Sequence, residues 1–225
     1  MLRPLSPFSF LLLFALPLCA QTEAPEAPAP PTGPDSATFV VTKGTDTLIV
    51  EHFLRSDKQV VGELIRRAAE GRRETYRGLL TPDGGVPLIE FAVWRGDDSG
   101  RRSPRQRVRI IFKDDSVSMD EVNSAEMMTR TFGSQKGAVP YLNLSFVLLE
   151  QATRRLVMSM ANSVDVPFFS LNGGQTAVGH LQRLPGDSAT LQLGTVDFRL
   201  RLDAAGRLLG ASIPAQGVRA ERAGS

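Results

Sequence analysis

From Ala37 onward the chain is a succession of short runs in which apolar and polar residues alternate, each closed by glycine, proline or aspartate. A period of two marks strands with one dry and one wet face. Residues 37–55 read as a hairpin turning through Lys43-Gly44-Thr45-Asp46, and 59–67 as a third strand. Residues 74–80 and 86–94 form a second hairpin across Thr81-Pro82-Asp83-Gly84-Gly85. Proline presets a turn dihedral, aspartate bonds the local backbone and glycine accepts positive φ, so this string specifies its own turn. Residues 106–112 and 116–119 continue the sheet around Lys113-Asp114-Asp115, while 96–103 read as a polar loop. Residues 120–137 lose the alternation and are expected to form an irregular excursion or a short helix.

One segment changes period. Residues 141–158 place Tyr141, Leu144, Leu148, Ala152 and Leu156 at helical spacing, with Asn143, Glu150, Gln151, Arg154 and Arg155 as a polar side. Pro140 suits a first helical turn. Strand runs then return at 164–171, 175–184, 188–193, 195–202, 208–213 and 218–222. Ten or more antiparallel strands twist, so a sheet of this size curls or closes. The predicted fold is mainly β: a strongly curved antiparallel sheet or partly open β-barrel, with one amphipathic helix across its opening. Its inner face holds either a packed core or a ligand cavity.

The amino terminus has a different grammar. Arg3 precedes the apolar run 8–16, which ends at Pro17-Leu18-Cys19-Ala20-Gln21. This reads as a signal peptide over residues 1–20. The run is shorter than the ~20 apolar residues of a membrane-spanning helix, and no later run is longer, so no transmembrane span is expected. Residues 21–35 form a Pro/Ala-rich linker that favours an extended spacer. Residues 36–225 then make a single β-rich domain, large enough to bury its own core. The expected location is secreted or periplasmic. Cys19 is the sole cysteine. Cleavage after Ala20 removes it, along with any disulfide or thiolate chemistry. Leu16, three positions earlier, admits a second reading in which Cys19 is the lipid-bearing first residue of a lipoprotein, although Leu18 stands where a small residue is expected.

A net charge of +2 and a pI near 9.0 are too mild to call for nucleic acid. The arginines are nonetheless grouped, at Arg66, Arg67, Arg72, Arg73 and Arg77 and again at Arg101, Arg102, Arg105, Arg107 and Arg109. Strand alternation aims Arg105, Arg107 and Arg109 at one face. That face is either solvated or a docking surface for anionic lipid headgroups, acidic polysaccharide or an acidic partner.

Several chemistries lack their residues. His52 and His180 are the only histidines, and neither belongs to a His-x-His or His-Glu-x-x-His string, so no metal and no cofactor is predicted. His52 shares a strand face with Leu48, Val50 and Leu54 and is expected to sit hydrogen-bonded in the core. Its use as a general base would need a partner that the sequence does not show. No Gly-x-Ser-x-Gly, Walker or dinucleotide pattern occurs, and Ser145 reads as a small residue inside the helix. Asp97-Asp98 and Asp114-Asp115 lie in turns and supply neither a facing carboxylate pair nor a calcium loop. Tyr76, Tyr141 and Trp94 are the only aromatics with a polar handle. Trp94 either caps a cavity mouth or packs in the core.

The strings Val41-Thr42-Lys43-Gly44-Thr45-Asp46-Thr47-Leu48-Ile49-Val50-Glu51 and Leu202-Asp203-Ala204-Ala205-Gly206-Arg207-Leu208-Leu209-Gly210-Ala211-Ser212-Ile213-Pro214 resemble uncharacterised secreted β-rich bacterial domains. Some of those look like accessory regions ahead of α/β-hydrolase domains. The shared motifs are turns, and the resemblance assigns no catalytic residue. The amphipathic helix, curved sheet and arginine face point instead to a non-enzymatic binding module whose partner is a lipid or other apolar or amphipathic small molecule. The candidate ligand contacts are His52, Tyr76, Trp94, Arg105, Arg107, Arg109 and His180. A structural or protein-interaction module of the cell envelope is the alternative, and a hydrolase centred on His52 or His180 a further one.

Overall fold

The computed structural model describes residues 34–67, 71–95, 103–123 and 126–224. The leader over 1–20, Cys19, most of the 21–35 linker, and Arg101 and Arg102 lie outside the described residues. Fifteen strands form one curved sheet that does not close. The first meander contains β1 (Asp35–Lys43), β2 (Asp46–Arg55), β3 (Gln59–Arg66), β4 (Arg73–Leu79), β5 (Leu88–Trp94), β6 (Gln106–Phe112), β7 (Ser116–Asn123) and β8 (Met127–Gly133). β9 (Val139–Tyr141) and α1 (Phe146–Met158) follow. The second meander contains β10 (Ser163–Ser170), β11 (Thr176–Leu184), β12 (Ser188–Leu193), β13 (Val196–Leu202), β14 (Leu208–Ile213) and β15 (Val218–Ala223).

Spatial order runs from β8 down to β1, then from β15 down to β9. The two meanders therefore join where the first strand meets the last, with Val41 opposite Ala220 and Thr38 opposite Ala223. Every pairing is antiparallel except β9 with β10, which α1 connects. A parallel pair needs such a crossover, and this is where the helical period enters the chain.

Alternation decides which residues face the concave side. Phe39 and Val41 of β1, Ile49 and Phe53 of β2, Val60 and Leu64 of β3, and Phe198, Leu200 and Leu202 of β13 are buried there. Phe146, Leu148, Leu149, Ala152 and Leu156 of the helix are buried with them. Burying such side chains at ~25 cal/mol per Å² of apolar surface drives the curl around the helix. Gly62 fits this interior closely, because a Cβ there would lie 2.3 Å from Cζ of Tyr76.

Two expected segments come out differently. Residues 120–137 contain the end of β7 and all of β8, not an excursion or a helix. β8 is an edge strand exposed along nearly its whole length, so burial imposes no alternation on its sequence. The helix begins at Phe146 rather than Tyr141, because residues 139–141 pair with β10 as an edge strand. Pro140 sits in that edge, where a missing N–H costs little. Ser145 is the helix N-cap rather than an interior residue, and Glu150 and Gln151 of the expected polar side are buried.

Candidate functional site

Two buried carboxylates seat the helix inside the sheet. Glu51, on the concave face of β2, is fully buried at the helix N-terminus. It accepts from the Phe146 N–H at 2.9 Å, the Val147 N–H at 3.3 Å, the Ser145 hydroxyl at 2.6 Å and the Tyr76 hydroxyl at 2.9 Å. A helix start leaves N–H groups unpaired, and here a strand carboxylate serves them in place of the N-cap side chain. Burial pushes the Glu51 carboxyl above its ordinary pKa, against the lowering pull of these four donors. Burial and the neighbouring Glu51 likewise push Tyr76 well up.

Glu150, on the helix, is the second anchor. It accepts from Arg55 at 2.7 Å, Arg154 at 3.0 Å, Arg222 at 3.1 Å and the Leu208 N–H at 3.1 Å. Arg222 also reaches Asp35 at 2.5 Å and lies over the rings of Phe53 and Phe39. Burial lowers the Arg55 pKa and Glu150 opposes that shift. At the far end, Arg155 donates to the Gly84 carbonyl at 3.0 and 3.1 Å, tying the helix to the 81–85 turn. That turn is built as its sequence specifies, with Asp83 accepting from Thr81 and Gly85 and Gly84 at φ +75°.

The helix fills only part of the concave side. Beneath β5–β8, between those strands and residues 171–174, lies a cavity of about 260 Å³. Phe91, Val108, Ile110, Met119, Phe132 and Leu142 give it apolar walls. Phe132 of this lining meets the Phe169 ring at 5.8 Å, and Phe112 meets the same ring at 5.8 Å. Gln106, Glu121, Arg72 and Glu74 stand toward the other end. Glu121 accepts from Gln106 at 2.8 Å, and Glu74 pairs with Arg66 at 3.1 Å and Arg72 at 2.8 Å. Arg130 of β8 borders the cavity, its Nε donating to the Met128 sulfur at 3.0 Å. On β6 and β7 the lining passes along the strand direction from Ile110 and Met119 to Gln106 and Glu121, and the volume lies just below the ~300–1,000 Å³ typical of small-molecule sites.

None of the candidate contacts from the sequence lines this cavity. His52 is exposed on the convex face, which corrects its expected place in the core: the buried set of β2 is Ile49, Glu51, Phe53 and Arg55, one residue out of phase. A one-residue change of phase turns every side chain over. His52 Nδ1 lies 2.8 Å from the Thr38 hydroxyl. His180 is exposed with Nδ1 2.7 Å from Asp165, and five strands separate it from His52 in the sheet order. Tyr76 is held in the Glu51 cluster. Trp94 is neither cavity cap nor core: it lies at the outer end of β5 under the Arg73 guanidinium at 4.9 Å. Arg107 and Arg109 are exposed on the convex face, as alternation requires, and Arg105 precedes their strand as a half-buried residue. Cross-strand neighbours place Arg77, Glu90, Arg109 and Asp120 in one row, so charge alternates there. The cavity wall was legible as the opposite face of the same strand, in Val108 and Ile110 alternating with Arg107 and Arg109.

No protein-family model matches the chain, and no curated protein matches it. Among solved structures, the crystal structure of a DUF1089 family protein from Pseudomonas aeruginosa is similar, with a TM-score of 0.52 and 13% identity over 76% of this chain and 92% of that one. At that identity the likeness speaks for the fold alone: a mainly β, strongly curved sheet with one helix.

Proposed function

We propose that this protein is an exported, non-enzymatic binding module that takes the apolar part of a small amphipathic molecule into the cavity beneath β5–β8. The carrying observation is a concave wall of Phe91, Val108, Ile110, Met119 and Phe132 that the helix leaves uncovered, graded toward Gln106 and Glu121. An apolar cavity of this kind binds by removing ligand surface from water, while the polar groups at one end orient it. Native mass spectrometry of protein purified from its own host, with displacement of a fluorescent fatty acid, tests the reading. A bound organic-extractable mass is expected, and Val108→Trp should abolish probe uptake while leaving the unfolding free energy within about 1–3 kcal/mol of wild type. A clean apo mass with no uptake, or uptake indifferent to Val108→Trp, overturns it.

A specific observation favours one second reading, a protein-interaction module. Edge strand β8 is exposed, and Met127, Met128 and nearby Val122 present apolar surface beside its unpaired backbone groups. Strand addition uses such edges. Cross-linking that returns a partner through β8, together with an empty cavity, would select it.

A further inference from the structure

The convex face of the second meander carries a feature unlike the rest of the sheet. Cross-strand pairing sets Thr190, Arg199, Ser212, Arg219 and Thr42 side by side on β12, β13, β14, β15 and β1. Every member is a hydroxyl or a guanidinium. Arg199 and Arg219 are exposed, and among the described residues neither has a carboxylate within 4.0 Å. Exposed like charges on one sheet face repel, and sheets relieve this by alternating sign. The row Arg77, Glu90, Arg109, Asp120 on this same sheet does so. The Arg199 row does not.

Its surroundings form a shallow depression of about 420 Å³. Ser212, half-buried, and Gly210, buried, are the small residues of its floor. Arg201 and Glu221 pair with one another across Gly210, where a Cβ would come within 2.7 Å of the Arg201 guanidinium. That pair occupies the lining glutamate, leaving Arg199 and Arg219 as the unmatched cations of the depression. Asp197, two positions from Arg199 on β13, and Asp187, next to Ser188 of the lining, are exposed and outside the lining. With strands ~4.8 Å apart, the two arginine backbones stand roughly 10 Å from each other with Ser212 midway. Two guanidinium forks on long side chains can therefore close from opposite sides on one tetrahedral oxyanion above the serine hydroxyl, each giving two parallel hydrogen bonds.

We propose that this depression binds a phosphate dianion, free or as the terminal group of a monoester, between Arg199 and Arg219 over Ser212. The site is on the opposite face from the concave cavity and does not rest on it. The test is a titration of the full chain with inorganic phosphate and, separately, glycerol 3-phosphate at low ionic strength, followed by arginine Nε–H and backbone resonances. Saturable shifts confined to the neighbourhood of Arg199, Ser212 and Arg219 are expected. Arg199→Gln and Arg219→Gln should each weaken binding by about tenfold or more, the loss expected for a charge-assisted pair. Ser212→Glu should abolish it, and Arg107→Gln should leave it unchanged. Tighter binding of inorganic phosphate identifies free phosphate as the ligand, whereas preference for the ester identifies a monoester. No saturable shift at millimolar concentrations of either probe, or shifts indifferent to Arg199→Gln and Arg219→Gln, overturns the site.

Discussion

Replacing Glu51 by leucine separates two roles that the structure assigns to one carboxylate. The substitution keeps a side chain of similar length in the same interior and removes every acceptor. The Tyr76 and Ser145 hydroxyls both face Oε1, so they can bond one another once it is gone. The Phe146 and Val147 N–H groups have no such recourse, being buried at the helix start. Each buried donor left unpaired costs about 1–3 kcal/mol, so Glu51→Leu should lose about 2–6 kcal/mol, reduced by the desolvation penalty no longer borne by the charge. Glu51→Gln offers its amide oxygen to the two N–H groups and its NH2 to hydroxyls that can turn to accept. Its cost at neutral pH should be about 1 kcal/mol or less. Urea unfolding of the three proteins, with unchanged m-values, measures the differences. The pH dependence supplies an independent sign. Burial raises the folded-state pKa of Glu51 above its ordinary 4.5. Its contribution to stability is therefore complete below pH 4.5 and falls as pH climbs through the folded value. Wild type should lose ground to Glu51→Gln from acid toward neutral pH. A Glu51→Leu variant within about 0.5 kcal/mol of wild type, or a wild-type lead that grows with pH, refutes the reasoning.

Three further outcomes follow from the same packing. Gly62→Ala, forcing a Cβ to 2.3 Å from the Tyr76 ring, should cost about 1–3 kcal/mol by chemical denaturation and shift the tyrosine near-ultraviolet dichroism. Glu150→Leu strands the buried Arg55 guanidinium and unties Arg222, so unfolding should be easier by about 3–5 kcal/mol, with Glu150→Leu/Arg55→Met recovering part of the loss. At Asp203, burial works against the carboxylate, but the Arg207 side chain and the Arg207 and Ala205 backbone N–H groups outweigh it and hold its pKa below 3.8. Its stabilisation should be present above pH 3.8 and vanish as pH falls through the folded value, so Asp203→Asn should flatten that acid limb of the stability profile by under about 1 kcal/mol.

The sheet was readable where strands bury one face. Val196, Phe198, Leu200 and Leu202 alternate with polar residues, and the structure buries that apolar side almost completely. Thr81-Pro82-Asp83-Gly84-Gly85 carries its turn in its own side chains and backbone preferences. β8 was illegible for the complementary reason: within Met127–Gly133 only Phe132 is half-buried and every other residue is exposed, so almost no solvent contrast is written into it. The phase of β2 misled because its concave face carries Glu51 and Arg55 while Leu54 is 49% exposed outside. Hydropathy follows the apolar residues, and here two ionic anchors of the helix replaced them. The cavity was half legible, since the sequence implied a concave side but not which part of it the helix would leave empty. No local pattern reports that Arg199 and Arg219 flank the same serine, because the register of three strands decides it.

The seam between β1 and β15 has a kinetic corollary. Arg219 must find Thr42, and Ala220 must find Val41, from opposite ends of the folded chain. Contacts so distant along the polypeptide carry a large loop-closure entropy and slow the search for the native state. Until the last strand docks, the free side of β1 is a second open edge, and the Arg222 clamp on Asp35 and Glu150 has no guanidinium to close it. Shortening the chain before β15 should therefore leave two half-sheets seeking strangers, a state recognisable by aggregation rather than by a lowered midpoint.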